Sequence, residues 1–290
     1  MHDQSPDHDT AIDSAKLLSR LEAAIAPRGR MITAYSGGID STLVAAAARR
    51  ALGRANAPAA IGDSASLPRH ELDEARAIAE QLDLELLTVS PGEQADARYQ
   101  ANDGQRCYFC KTHLYESLHE LAARLGVGFI ANGTNVDDLG DHRPGLVAAG
   151  EAQVVSPLVE AGLGKQQVRA VARHLGLPNW DKPAAACLAS RLPYGTEVTP
   201  QRLEQVERAE SLLRELGFVG FRVRHHDTVA RIELPWDQVE RMLDPAVRAA
   251  VIEGLKACGY TFIALDLEGF RSGSGNALLT SLTINESDGA

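Results

Sequence analysis

One arrangement constrains this chain more than any other: short apolar runs alternate with long amphipathic stretches through its first 176 residues. "GRMITAY" (29–35), "APAAIGDSASLP" (57–68), "ELLTVSP" (85–91) and "VGFIANGTNVDD" (127–138) each begin as a short buried strand. Helical segments separate them: 13–27, "STLVAAAARRAL" (41–52), "RHELDEARAIAEQLDL" (69–84) and "KTHLYESLHELAARLG" (111–126), the last with leucines at 114, 118, 121 and 125. "QVVSPLVEAG" and "GKQQVRAVARHLG" repeat the strand-then-helix rhythm. A short strand followed by a long helix cannot return antiparallel to its neighbour through a tight turn. The pattern therefore predicts an α/β fold: a parallel sheet with helices on both faces. Ligands of such sheets gather beyond the carboxyl ends of the strands.

The first of these strand ends reads Ser36-Gly37-Gly38-Ile39-Asp40-Ser41. Glycines admit positive φ and let backbone N–H groups approach an anion. The helix that follows points its positive end at the same place. Ser36 and Ser41 add hydroxyls, and Asp40 is placed to hold Mg²⁺ or orient the loop. The lysine of a P-loop is missing, and the spacing is not that of a dinucleotide fingerprint. Asp63 and Ser64 follow the second strand; Gly133, Thr134, Asp137 and Asp138 follow the fourth, with Asp141, His142 and Arg143 beyond. A helix cap at the first group and a polar surface loop at the second are the plain structural alternatives.

The rhythm ends at a proline-rich stretch, "LPNWDKPAAACLASRLPYGTEVTP" (177–200). Beyond it a helix, two strands, a second helix and a third strand predict a small α+β domain built on a two-stranded hairpin. The predicted organisation is a disordered segment 1–11, a domain at 12–197, the small domain at 198–276 and a flexible tail 277–290. With 290 residues, 44% of them hydrophobic, the chain is long enough to bury such cores. Its net charge of −10 argues against general nucleic-acid affinity. No apolar run reaches the ~20 residues of a membrane span. The polar, acidic N-terminus is unlike a signal peptide. A cytoplasmic location is the expectation.

The four cysteines are Cys107, Cys110, Cys187 and Cys258. In a reducing compartment they are not expected to form structural disulfides. Cys107 and Cys110 make a C-x-x-C pair, open to metal or thiol chemistry, with small residues opening a helix as the structural alternative. Cys187 lies in the boundary stretch, where Lys182 and Arg191 are near enough in sequence to favour its thiolate. Cys258 reads as packing. In the small domain Arg222 and Arg224 share one strand face, as do Arg231 and Glu233 on the next. Such arginines either grip a phosphate or carboxylate or lie on a solvated sheet face.

The loop S-G-G-x-D-S resembles that of the N-type ATP pyrophosphatases, the PP-loop superfamily. Taken in order, "GDSASLPRHEL", "RCYFCK", "NGTNVDD…GDHRPG", "SPL", "KPAAACLASRLPYG", "RIE" and "LDLEGFRSGS" resemble the LarE family over roughly residues 12–276. That family comprises ATP-dependent sulfur transferases of nickel-pincer nucleotide synthesis. The resemblance implies an adenine nucleotide alpha-hydrolase-like fold, with ATP and Mg²⁺ as cofactors and a pyridinium dicarboxylate mononucleotide as substrate. A ring carboxylate would be adenylated and then converted to a thiocarboxylate. ATP would contact Ser36, Gly37, Gly38, Asp40, Ser41, Asp63, Ser64, Gly133, Thr134 and Asp137, and Arg222, Arg224, Arg231 and Glu233 would hold the substrate. Asp40, Cys187 and Arg191 would be catalytic. The sulfur would come from Cys187, left as dehydroalanine, or from hydrosulfide on a [4Fe–4S] cluster held by Cys107, Cys110 and Cys187. Asp266, Arg271 and Ser272 are further polar candidates. A homo-oligomer is implied. Alternatives within the superfamily are a tRNA thiolase and an ammonia-dependent amidating synthetase; a third is a nucleotide sensor without catalysis.

Overall fold

A computed structural model describes residues 13–140, 144–183 and 185–271. The segment 1–11, Asp141, His142, Arg143, Ser272 and the tail 277–290 lie outside the described residues. The first sheet is parallel, in the order β3-β2-β1-β4: β1 (Met31–Ala34), β2 (Ala59–Gly62), β3 (Leu86–Val89) and β4 (Phe129–Ala131). β1 lies inside the sheet and its first three residues are fully buried, which explains an uninterrupted apolar run rather than an alternating one.

Helices cover both faces, as the alternation requires. On one side α1 (Ser14–Ile25), α2 (Ile39–Leu52), α7 (Pro157–Glu160) and α8 (Lys165–His174) share a core that includes Leu21, Met31, Leu43, Leu158 and Val171. On the other, α5 (Arg106–Leu125) and α6 (Pro144–Glu151) pack Tyr115, Leu118 and Ala148 against Ile32 and Ile130. α3 (Arg69–Gln81) packs Leu72 and Ala75 against Tyr35 and Ile61. The alanines of α2 leave it almost wholly buried between helices and sheet.

Three local expectations change. α5 begins at Arg106, not at 111, so the C-x-x-C pair occupies its first turn. "QVVSPLVEAG" makes only a single parallel bridge, Val155 to Ala131, because Pro157 opens α7 two residues later. The segment 236–259 is interrupted at Asp244–Pro245. Asp244 is held extended before the proline, and its carboxylate caps the amides of Ala246 and Val247.

The C-terminal part holds α9 (Pro200–Glu215), β5 (Arg222–His226), β6 (Val229–Glu233), α10 (Val239–Leu243), α11 (Pro245–Ala257) and β7 (Phe262–Leu265). Its sheet has three strands: β5 and β6 form the expected antiparallel hairpin, and β7 adds parallel to β6. Phe218, Val223, Ile232, Val251 and Tyr260 fill its core. The proline-rich stretch between the two parts is not a free linker. Leu188, Ala189, Leu192 and Val198 are buried in one cluster with Tyr99 of α4 (Ala97–Gln100) and with Leu203 and Val206 of α9. Asn102 donates to the carbonyls of Pro193 and Thr196 at 2.8 Å each, and Leu188 N–H donates to Ser66 O at 2.8 Å. The strap that carries Cys187 is thereby sewn to both parts.

Candidate active site

β1 delivers the chain into the serine–glycine loop at its carboxyl end. Tyr35, whose hydroxyl burial pushes up to about 12, donates to Ala75 O at 3.0 Å and fixes the loop's first residue. Ser41 Oγ lies 3.1 Å from Ser36 N and 3.0 Å from Ser36 Oγ, closing a tight ring at the entrance to α2. Gly37 has φ of 72°, and a Cβ there would stand 2.6 Å from the Ala75 Cβ, so both conformation and space require glycine. Gly38, the N-cap of α2, has no side chain to cap the helix's first amides. They are left for an external anion.

The loop after β4 faces this turn. A Cβ on Gly133 would stand 2.7 Å from Ser41 N, so the two loops meet backbone to backbone. Asn132 Oδ1 accepts from Thr134 N and Ser156 Oγ, and Asn135 Nδ2 donates to Asp40 Oδ1 at 3.0 Å. Asn135 N–H reaches Asp138 Oδ2 at 3.2 Å. One asparagine thus bridges two carboxylates. Burial above all, with Asp138 adding its charge, raises the Asp40 pKa; the Asn135 hydrogen bond and the Lys165 ammonium oppose the rise. Two such carboxylates beside phosphate donors suit Mg²⁺, which takes a few protein oxygens and completes its shell with substrate phosphate and water. A cavity of about 340 Å³ opens between the loops, lined by Ser36, Gly38, Asp40, Ser41, Gly133, Thr134 and Asp138.

Two lining residues escaped the sequence reading. Lys111 and Tyr115 reach this cavity from α5. The only signal for Lys111 was its place directly after Cys110, which gains meaning once α5 is seen to begin at Arg106. The Lys111 stem runs beside Gly145, where a Cβ would stand 3.2 Å from it. A lysine absent from the loop itself is supplied by another helix.

Three expected contacts fall elsewhere. Asp137 accepts from Lys165 N at 2.6 Å and caps α8, while its neighbour Asp138 turns into the cavity. Asp63 pairs with Arg69 at 2.6 Å, and Ser64 Oγ accepts from Ser66 N at 3.2 Å. Neither lines the cavity. Both brace the loop after β2, and neither caps α3, whose N-cap is Pro68 with no side-chain cap bond.

The strap brings Cys187 to the first turn of α5. Arg106, buried, donates to Ala189 O at 2.8 Å and Asn102 Oδ1 at 2.6 Å, and its Nη2 lies 4.0 Å from Cys107 Sγ. Cys110 packs against the cluster of Leu188 and Ala189. Burial pushes its thiol up to about 12, with the charges of Cys187 and Cys107 adding to the rise. Cys107 and Cys187 are exposed. The donors are those an iron–sulfur cluster takes. Yet among the described residues no three His, Cys, Asp or Glu side chains are arranged to hold a metal ion. Arg106 was another residue missed in sequence. Cys258, as expected, packs against the C-terminal core.

Arg191 and Lys182 do not direct free charge at Cys187. Arg191 is buried in a two-pronged pair with Glu210 (2.9 and 3.0 Å). Its Nη1 donates to the carbonyls of Ala186 and Cys187 at 2.7 and 2.9 Å. Its guanidinium shapes the turn that presents the thiol. Lys182 binds Glu71 and Glu74 of α3 at 2.6 and 2.9 Å.

On the hairpin Arg224 stands opposite Arg231, and Arg222 opposite Glu233. Glu233 accepts from Arg224 at 2.8 Å and Arg231 at 3.2 Å, and Arg231 also binds Asp266 at 2.9 Å. Arg224 further donates to Ser190 O at 2.9 Å, joining the hairpin to the strap. Arg222 stacks over Phe270 at 5.1 Å and lines a cavity of about 230 Å³ with Ala185, Ala186, Glu71 and Arg214. The four expected residues share one face, and that face meets the strap at Ser190, three residues from Cys187. Arg271 is paired with Glu268.

Comparison with known proteins identifies relatives along most of the chain. The family model described as NAD synthase matches residues 17–114. The chain is 44% identical over 251 residues to the uncharacterized protein slr1717 of Synechocystis, covering 87% of this chain and 93% of that one. It is 40% identical over 264 residues to the pyridinium-3,5-bisthiocarboxylic acid mononucleotide synthase of Lactiplantibacillus plantarum, covering 91% and 95% respectively. It is 29% identical over 171 residues to the uncharacterized protein MJ0830 of Methanocaldococcus jannaschii, covering 59% and 66%.

Proposed function

The chain belongs to the family of the pyridinium-3,5-bisthiocarboxylic acid mononucleotide synthase, the LarE family, and on that premise we propose how its residues perform ATP-dependent sulfur transfer. The substrate is a pyridinium dicarboxylate mononucleotide and the product its thiocarboxylate. One observation carries the reading: the start of α5 presents Lys111 to the loop cavity and is tied by Arg106 to Ala189 of the strap that carries Cys187. Nucleotide chemistry and thiol chemistry are thereby adjacent.

The triphosphate lies against Ser36, Gly38 and Ser41 at the start of α2, with Lys111 across from it. Asp40 and Asp138, which Asn135 keeps in register, would hold Mg²⁺. Asp63, Ser64 and Asp137 shape the surrounding loops. A substrate carboxylate oxygen attacks the α-phosphorus, the bond to the pyrophosphate oxygen breaks, and an acyl-adenylate forms. The Cys187 thiolate attacks the acyl carbon and AMP leaves, taking the electron pair on its phosphate oxygen. Loss of the Cys187 Cα proton then breaks the Cβ–S bond. The sulfur departs on the substrate as thiocarboxylate and dehydroalanine remains. Arg222, Arg224 and Arg231 hold the substrate's phosphate or second carboxylate, with Glu233 orienting the arginines. Cys107 and Cys110 are, with Cys187, the thiolates that a [4Fe–4S] cluster would need, but the three are not placed as ligands of one ion.

The reading includes a homo-oligomer in the cytoplasm. Exposed Val219, Trp236 and Leu267 are apolar residues that association could cover. Among the described residues no helix is long and apolar enough to cross a membrane. The deciding experiment incubates the protein with Mg-ATP and the dicarboxylate mononucleotide. Pyrophosphate release must precede thiocarboxylate formation, and the Cys187 peptide must lose the mass of H₂S. Pyrophosphate release with an intact Cys187 and product formed only from added sulfide would replace sacrifice with an external sulfur source.

A further inference from the structure

Asn179 lies in the strap, eight residues before Cys187, and is buried. Its Nδ2 donates to Gly37 O at 2.9 Å and to Thr42 Oγ1 at 3.0 Å. Thr42 Oγ1 in turn donates to Gly38 O at 2.9 Å. The first of these contacts has a directional consequence. In a trans peptide the C=O and the following N–H point opposite ways. A Gly37 carbonyl fixed towards Asn179 therefore aims Gly38 N–H away from it. On this other side Gly38 N donates to Ser36 Oγ at 3.3 Å, and Ser36 and Gly38 both line the cavity.

The peptide joins two glycines, and Gly37 already has positive φ. Neither residue has a Cβ to oppose rotation of the plane between them. Flipped, the peptide would turn a carbonyl oxygen towards the triphosphate in place of a donor. The loop's own hydroxyls do not hold Gly37 O; Asn179 does.

Resting on the loop's assignment to the triphosphate, we propose that Asn179 is the positioning residue that locks the Gly37–Gly38 peptide with its N–H towards the β- and γ-phosphates. The strap carrying the thiol thus completes the phosphate site.

The test is calorimetry with Mg-ATP, inorganic pyrophosphate and AMP on the full chain and on N179D and N179A, each checked for folding by thermal melting. Aspartate keeps the shape, loses the donor and sets an acceptor against Gly37 O. Expected is a weakening of ATP and pyrophosphate by about tenfold or more, the worth of one lost hydrogen bond to a preorganised site, with AMP unchanged. Equal weakening of all three, or of none, in the variant that folds would overturn the proposal and leave Asn179 a packing residue. Should pyrophosphate fail to compete with ATP in the unaltered protein, the triphosphate assignment itself falls, whatever the variants do.

Discussion

Arg106 donates to the carbonyl of Ala189 at 2.8 Å across 83 positions of chain. That bond fixes the first turn of α5, with Cys107 and Cys110, to the strap turn with Cys187. A buried guanidinium whose oxygen partners are neutral and whose remaining hydrogen-bond contact is the Cys107 sulfur is costly unless the thiols supply its compensating charge.

Arg106→Gln should therefore separate the two half-reactions. Adenylation depends on the loop cavity, which Arg106 does not line, so pyrophosphate release should persist. Sulfur transfer should fall by about tenfold to a hundredfold, the range of a lost charged hydrogen bond. Pyrophosphate and thiocarboxylate measured in the same reaction would decide it. A parallel fall in both would assign Arg106 to the fold alone.

The pair Arg191–Glu210 makes a different prediction. Both groups are about 97% buried (3% exposed) and joined by two hydrogen bonds. Glu210 also accepts from Val223 N at 3.1 Å. Glu210→Gln leaves a buried cation without its countercharge, and such a loss costs about 3–5 kcal/mol. Chemical denaturation should show that loss. Replacing both partners with apolar residues, Arg191→Met with Glu210→Leu, should recover part of it while leaving the Cys187 turn without the Arg191 donors. Recovered stability with undiminished sulfur transfer would refute the presenting role of Arg191.

The alternation of strand and helix made the parallel sheet legible in sequence, because each element's burial writes its own period. The serine–glycine loop was legible because glycine at 37 answers a steric demand that no other residue meets. Lys111, Arg106 and Asn179 were not legible. Each acts across 70 or more positions, on a loop, a strap carbonyl or a peptide plane, and no local period records such a contact. Arg191 misled for the same reason: proximity in sequence to Cys187 suggested a charge for the thiol, whereas its partner Glu210 lies on the next helix. Asp137 and Asp138 are adjacent and chemically alike, so only the turn that points one at α8 and the other at the cavity distinguishes them.

Gly133→Ala should disable the nucleotide site while sparing the thiol site. The added Cβ would stand 2.7 Å from Ser41 N and 3.0 Å from the Asp40 carbonyl carbon. Both are backbone atoms of the first turn of α2, which cannot yield without moving the loop's donors. Pyrophosphate release should drop by about a hundredfold or more, since two donors and the Asp40 position shift together. Alkylation of Cys187 should keep its unaltered rate. Normal adenylation would show that the two loops can separate without consequence. Asp40→Asn, which keeps the size and loses the charge, should abolish Mg²⁺-dependent adenylation by another route.

The last prediction concerns acid. Glu71, at the start of α3, has its carboxyl depressed from 4.5 to about 2. The His70 ring 3.5 Å away is the main cause and the Lys182 ammonium at 2.6 Å the next favourable one, against the opposing effect of burial. A carboxyl held lower in the folded chain than in the unfolded one stabilises the fold fully above the unfolded value. That contribution is lost as pH falls through the folded value. Between about pH 4.5 and pH 2, then, the anchoring of the strap to α3 through Lys182 should weaken progressively. In Glu71→Gln the group no longer titrates. Thermal melts should show the variant less stable than the unaltered chain at pH 6, with the gap narrowing below pH 4.5 and closing near pH 2. Because Lys182 also binds Glu74 at 2.9 Å, the strap keeps one tether in the variant, and the loss should be partial. A gap that stayed constant from pH 6 to pH 2 would mean that Glu71 acts through packing rather than charge, and that the strap is held by its carbonyl and apolar contacts alone.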